Sequence, residues 1–433
     1  MRRTIITAAL LSLLIPMSIG HLYAQTAARA SALADGFESG AYEISDYNTA
    51  CYFALAGNKQ LALIYLRKAV EDGFSNPKAM LEDGDLTALH TEAGWSSILK
   101  KVQENEKRKA NTDHLFFNRP DFWNSKFFQT PYRENLSEDE KLAGLSKFWA
   151  EAKYNFVNFD LIPEVNASTP QDRDVRGFDY ALLAGSLTES IDLKLADEKG
   201  SISSQTISRV RPAERSEKLS YPAVVYKTLP GQVSYLAINS FATDTGSKVF
   251  AEKYPEIAQS KAIILDLRNN GGGSTDWSIL RYFIDTITMV HKMYSRQYVP
   301  TQRAWGQPQR VWESADAIAP YKGHLYSKPV VVLTSARTFS AAEDFVAAFK
   351  SLQRGLIIGE ATGGSTGQPL DISLPGNLTA RICTKRDQYP DGEDFVGKGI
   401  MPDITVAPTI SDVRKGIDTQ LEAALRALKK GGR

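Results

Sequence analysis

Cysteine is scarce in this chain. Cys51 and Cys383 are the only two in 433 residues, and neither stands in a Cys-x-x-Cys or metal-type spacing. A disulfide-stapled scaffold is therefore not indicated. Histidine is nearly as rare, with five in all and no His-Glu-x-x-His pattern, which argues against a zinc site. The net charge of +1 lacks the basic excess that draws nucleic acid or an anionic membrane surface. No glycine turn runs into Gly-Lys-Ser/Thr, so a phosphate loop is excluded. Nothing in these patterns calls for a cofactor or a metal. Apolar runs are short as well. The longest opens the chain and falls below the length of a membrane span, so no transmembrane span is expected.

That opening run has another reading. Arg2-Arg3 precede the apolar stretch Ile5 to Ile15, and Leu22-Tyr23-Ala24 offers a cleavage site. This is the layout of a signal peptide over residues 1–24, with export to the periplasm or the exterior. From Ser45 to Val102 the periodicity predicts consecutive amphipathic helices. One ends at Gly57, and the next, from Lys59 to Gly73, carries Leu61, Ile64, Tyr65, Leu66 and Ala69 on one face. Helix, Gly-Asn turn, helix resembles one tetratricopeptide unit. Repeat units usually stack, so this pair either leans on the neighbouring domain or binds a protein partner. Gln103 to Thr112 reads as a linker or helix end. Ser137-Glu138-Asp139-Glu140 has the form of a capping box. The helix behind it carries an apolar stripe of Leu142, Leu145, Phe148, Trp149, Ala152 and Phe156, a core pattern.

The second half of the chain carries the chemistry. Pro329 to Thr334 is an apolar strand, and Ala341 to Lys350 is helix-forming. Ser340 lies between them, at the positive end of the helix. Such a serine is either a plain N-cap or an activated nucleophile. Upstream, the strand Ala262 to Asp266 runs into Gly271-Gly272-Gly273, where the backbone can approach a ligand and aim its amides at a developing negative charge. Trp277 to Ile287 reads as a helix behind that turn. Apolar strands separated by helices indicate an α/β fold with a buried sheet. Asp412 to Leu428 reads as a terminal amphipathic helix.

Taken in order, these blocks resemble the tail-specific, or C-terminal-processing, serine protease family. Leu356 to Gly364, Leu370 to Arg381 and Gly397 to Asp403 agree as well. The resemblance covers Tyr221 to Val406 and implies a crotonase-like α/β protease core. It makes Ser340 the nucleophile. The oxyanion hole would come from the amide of Ala341 and one glycine amide, Gly273 or Gly272. Thr362, Gly363 and Gly364 would line the groove for a peptide or protein substrate. The implied organisation is a signal peptide (1–24), a tetratricopeptide-like region (25–112) and a partial helical cap (113–165). A remnant of a PDZ-type β module (166–215) and the protease-like core (216–433) follow. Ile191 to Leu195 and Ser203 to Val210 would be the remnant's closing hairpin.

The resemblance also exposes a gap. One branch of the family has a lysine base where this chain has Ser365. The tricorn-like branch uses a histidine from a helical segment that is missing here, and its supporting glutamate position is Val396. His21, His90 and His114 lie in other contexts, and His291 and His324 read as surface or structural. Two functions stay open: an exported serine peptidase with an unidentified base, or an inactive peptide-binding or scaffold relative. An α/β-hydrolase esterase is a third reading, since Gly363-Gly364-Ser365-Thr366-Gly367 fits Gly-x-Ser-x-Gly. That motif requires a helix after its serine. Gln368-Pro369 and the strand pattern beyond it predict a turn and a strand instead.

Overall fold

The computed structural model describes residues 46–112, 129–133, 135–157, 169–177, 185–186, 188–197, 200–209, 221–308 and 310–429. The signal-peptide reading, most of the aromatic stretch after Thr112, and residues 158–168 fall outside them.

The chain begins with helices α1 (Asp46–Leu55), α2 (Lys59–Glu71), α3 (Pro77–Glu82) and α4 (Trp95–Thr112). Gly57, at φ +82°, closes α1, and the Asn58 side chain caps α2 by accepting the Leu61 N–H at 3.2 Å. Gln103 to Thr112 continues α4 rather than forming a linker. Phe53, Leu66, Met80 and Val102 make a shared core. Ile287 belongs to the same core, and Ala317 and Ala319 pack against it, so the helices use their apolar face on the second half of the chain.

α5 (Glu138–Asn155) starts at the predicted capping box of Ser137 and Glu140. Its stripe is core only in part: Ala152 is buried, and Phe148 and Phe156 are half-buried. Leu142, Leu145 and Trp149 are 61–65% exposed. The helix instead buries Gly144 and Ala152, with Gly144 against Pro375, and Lys147 Nζ donates to the Ser373 carbonyl at 3.0 Å. Small residues let the backbone come close, and that contact outweighed the apolar stripe. α6 (Pro170–Arg176) and the antiparallel hairpin β1 (Ser190–Ala196) and β2 (Ile202–Ser208) follow, the hairpin where the resemblance implies it.

The central sheet has the order β13-β9-β8-β5-β4-β3. Its strands are β3 (Val224–Leu229), β4 (Val233–Ile238), β5 (Ala262–Asp266), β8 (Val330–Thr334), β9 (Leu356–Gly359) and β13 (Ile404–Thr405). All neighbouring pairs are parallel except β3–β4. β4, β5 and β8 are buried along their whole length, as continuous apolar strands require. One face packs on α7 (Thr245–Ile257) and on α9 (Ala341–Ser351) through Phe250, Phe345 and Phe349. The other face packs on the C-terminal helix α11 (Thr419–Lys429) through Ala424 and Leu421. The predicted single terminal helix is two, because Gly416 at φ +67° separates α10 (Ile410–Arg414) from α11. Trp277 to Ile287 is not a helix either. It holds one 3-10 turn, Leu280–Tyr282, its apolar side chains being drawn into the core around Phe250.

A second sheet, β12-β6-β7, lies beside α9. It is built from β6 (Thr288–Gln297), β7 (Arg310–Ile318), which follows the short α8 (Pro300–Ala304), and β12 (Lys385–Gln388). β10 (Pro369–Leu374) and β11 (Leu378–Cys383) form a separate hairpin. Ser365 is thus followed by a turn and a strand, which rules out a nucleophile elbow at that serine. Among the described residues no helix is long and apolar enough to cross a membrane.

Candidate active site

Three loops leave the carboxyl ends of adjacent parallel strands. Leu267 to Gly273 follows β5, Ser335 to Ser340 follows β8, and Glu360 to Gly367 follows β9. Ligand sites of open α/β sheets form at such strand ends. The loops are tied by backbone bonds. Phe339 N–H donates to the Asn270 carbonyl at 3.0 Å, Ser340 N–H to Ser365 at 3.0 Å, and Gly363 N–H to Thr338 at 3.0 Å.

Ser340 sits at the start of α9 with φ +56° and ψ −130°. A non-glycine residue there stores about 1–3 kcal/mol of strain and persists only when its surroundings hold it. An ordinary N-cap has extended backbone angles, so a plain cap does not account for this residue. Gly272, at φ +102°, packs against it: a Cβ on Gly272 would lie 2.6 Å from Ser340 Cβ and 3.1 Å from its Oγ. The Gly272 amide is committed to Asn270 Oδ1 at 2.9 Å. Gly273 bridges Phe241, whose backbone a Cβ would strike at 2.2 Å. Among the described residues the Gly273 and Ala341 amides donate no hydrogen bond.

Glu343, one turn into α9, is fully buried. Its carboxylate accepts Thr362 Oγ1 at 2.5 Å, Gly364 N–H at 2.7 Å, Ser365 N–H at 2.9 Å and Ser340 N–H at 3.2 Å. Burial pushes its pKa up to about 7, against the pull of these donors. Thr362 also accepts the Ile400 N–H at 2.7 Å. Thr362, Gly363 and Gly364 are all buried, and Thr169 Oγ1 donates to the Gly363 carbonyl at 2.7 Å. In this structure these three residues brace the loop rather than face an open groove. Gln171 of α6 donates to the Thr362 carbonyl at 2.9 Å, so the segment before the sheet also closes on this loop.

Asp344 turns the other way, toward the second sheet. Thr275 donates to it at 2.9 Å and Thr366 at 3.0 Å. Thr366 also lies 3.4 Å from Asp387, and Lys385 Nζ is 2.6 Å from the same carboxylate. His291 completes the cluster, with Nδ1 3.1 Å from Asp316 and Nε2 2.5 Å from Asp387. His291 is 5% exposed, which leaves the structural reading of this residue and removes the surface one. Burial pulls its pKa down, but hydrogen bonds to Asp316 and Asp387 outweigh that and hold it at about 9. Burial alone would raise Asp387; the hydrogen bond from His291 and the charge of Lys385 hold it below the usual range. Burial and the Asp387 charge push Asp344 up. Ligand-type atoms of His291, Asp344 and Asp387 lie within 4.8 Å of one another. They do not fit a cation well: an imidazolium between two carboxylates has no lone pair to give, and Lys385 already supplies positive charge. Sequence reasoning missed this cluster because its members come from four separated segments.

Among the described residues no histidine or lysine is hydrogen-bonded to Ser340 Oγ. Ser365, at the lysine position of the lysine branch, uses its carbonyl on Ser340 N–H. Val396 is buried in the core. Arg268 is a brace, held by Asp266 at 2.5 Å and by Asp418 at 2.7 Å. An open cleft of about 490 Å3 lies on the opposite flank of the strand ends beside Arg268, Arg337 and Glu360, and Ser340 does not line it. Volume alone makes no site there, since the strained serine and the glycine amides are elsewhere.

The model of peptidase family S41 matches residues 232–406, the span from β4 through β13 that holds all three loops. These residues form an S41 peptidase domain. A carboxy-terminal-processing protease of Bartonella bacilliformis is 30% identical over 48% of this chain and 46% of its own. A chloroplastic C-terminal processing peptidase of Tetradesmus obliquus is 27% identical over 46% of this chain and 39% of its own. The chain thus spans less than half the length of these two relatives. Mature CPAF, a solved structure, is 18% identical with a TM-score of 0.44, over 56% of this chain and 68% of its own. The S41 domain is the mixed α/β part of the chain, and the helical region docks on its second sheet.

Proposed function

We propose that the S41 domain acts as a serine-type peptidase on peptide or protein substrates. Ser340 Oγ adds to the scissile carbonyl carbon, and the carbonyl oxygen takes up negative charge between the amides of Ala341 and Gly273. Collapse expels the amine, which leaves with the proton that Ser340 Oγ gave up; water then adds to the acyl carbon, returns a proton to Oγ and releases the carboxylic acid. One observation carries this reading: a serine in strained backbone at a helix start, packed on a glycine turn beside two amides that donate no hydrogen bond among the described residues. Gly273 is preferred to Gly272 as donor because the Gly272 amide is spent on Asn270. Thr362, Gly363 and Gly364 serve as a brace for the nucleophile.

General-base catalysis contributes about 10²–10⁴-fold, so a serine with only its amides keeps a small rate. Among the described residues no histidine or lysine meets Ser340 Oγ, so an inactive peptide-binding relative with a peptidase fold stands as the second reading. A fluorophosphonate probe separates the two. Labelling of the wild type that is lost in Ser340→Ala supports the peptidase, and a wild type that takes no label supports the binding protein.

The other parts follow the same reading. Residues 1–24 direct export, 25–112 form a tetratricopeptide-like wing, 113–165 a partial cap, 166–215 a PDZ-type remnant and 216–433 the protease-like core. The wing spends its apolar face on Ile287 and its neighbours, so we assign it to bracing the domain ahead of holding a protein partner.

A further inference from the structure

The cluster around His291 is costly to bury and is not used in the reaction above. Each member has a traceable neighbour. His291 stands in β6 beside Asp316 of β7 and Asp387 of β12. Lys385 adds a second positive charge to Asp387. Trp277 lies against the ring, 5.9 Å between centroids. Tyr52 of the helical wing meets the Ala317 backbone and faces Asp316. On the far side, Thr366 bridges Asp387 and Asp344, and Thr275 reaches Asp344 from the glycine turn.

Asp344 is therefore a knot between three pieces. Thr275 lies two residues past Gly273, Thr366 follows Ser365, and Asp344, on the first turn of α9, donates its N–H to the Ser340 carbonyl at 3.3 Å. An unpaired carboxylate buried at this point would repel Asp387 and loosen all three. The imidazolium of His291 and the ammonium of Lys385 let both carboxylates stay in place.

From this geometry, and resting on the reading of Ser340 as nucleophile, we infer that His291 is a positioning residue. Through Asp387, Thr366 and Asp344 it sets Ser340 against the glycine turn. It touches neither substrate nor Oγ.

Two variants test this on the full chain with a fluorophosphonate as the probe. His291→Gln removes the cation. Thr366→Val removes only the hydroxyl between Asp344 and Asp387, and keeps the shape should the first variant fold poorly. Both should label Ser340 about tenfold or more slowly, as a small misplacement of a reacting group does. The wild-type rate should also fall as the pH rises through about 9, where His291 loses its charge, and His291→Gln should lack that limb. Wild-type labelling rates and pH profile in both variants overturn the inference. A wild type that takes no label sinks the nucleophile reading, and hydrogen exchange then decides the network alone. Faster exchange of the amides of 338–344 and 362–366 in Thr366→Val, with 233–238 unchanged, retains the coupling. Unchanged exchange in those segments overturns it.

Discussion

Glu343 and Asp344 are neighbours on the first turn of α9, both buried, and they are satisfied in opposite ways. Glu343 faces a loop of neutral donors: three amides and a hydroxyl. Asp344 faces a charged cluster in another sheet, reached through two threonines. Neutral donors hold a carboxyl rigidly but shield it poorly from desolvation, and Glu343 is pushed up to about 7. The charged side works by compensation, with His291 and Lys385 set against Asp387 and Asp316. Geometry at Ser340 thus depends on two supports that fail under different conditions.

The largest effect should come from emptying the neutral side. Glu343→Ala strands the Gly364 and Ser365 amides and the Thr362 hydroxyl in the interior. Unmet buried groups cost about 1–3 kcal/mol each, so a loss of roughly 4 kcal/mol is expected in denaturant unfolding. A loss under 1 kcal/mol would show that the loop re-satisfies itself and that the two sides do not differ.

A pH series sharpens the contrast. His291 is raised in the fold above its ordinary 6.5, so its contribution is complete below that pH and is lost as the pH climbs through about 9. Glu343 is raised as well, from 4.5 to about 7, so its contribution is present below 4.5 and lost through about 7. At about 1.4 kcal/mol per pKa unit, each window is worth up to about 3 kcal/mol. Unfolding midpoints across pH should therefore fall in two steps. Glu343→Gln should flatten the lower step and His291→Gln the upper one. A single step removed by either variant would merge the two supports into one.

The smallest effect is predicted far from both. Trp149 is 61% exposed on α5, and Trp149→Gln should shift stability by no more than about 0.5 kcal/mol. A large loss would mean that this helix face is covered after all.

Much of the central architecture was legible beforehand. The strands ending at Asp266 and Thr334 and the helix from Ala341 follow from local pattern, and the hairpin of β1 and β2 was expected from the resemblance alone. Capping at Ser137 and the stop at Gly57 are equally local. The misreadings share one cause. The stripe on α5 and the supposed helix after Gly273 have the right spacing, but packing against Pro375 in one case and the Phe250 core in the other overrode it. For His291 the sequence left surface and structural readings open, since nothing within a few residues of it signals burial, and the structure removes the first.

Ser340 and the glycine turn could be singled out from the chain because each is a short motif at a strand end, where backbone chemistry is local. The supports of Ser340 could not. Glu343 meets Gly364 and Ser365 from 21 and 22 residues away, and His291 meets Asp387 across 96. A buried charge has no signature in sequence, because whether a carboxylate is exposed, neutral or paired depends on which distant strand arrives beside it.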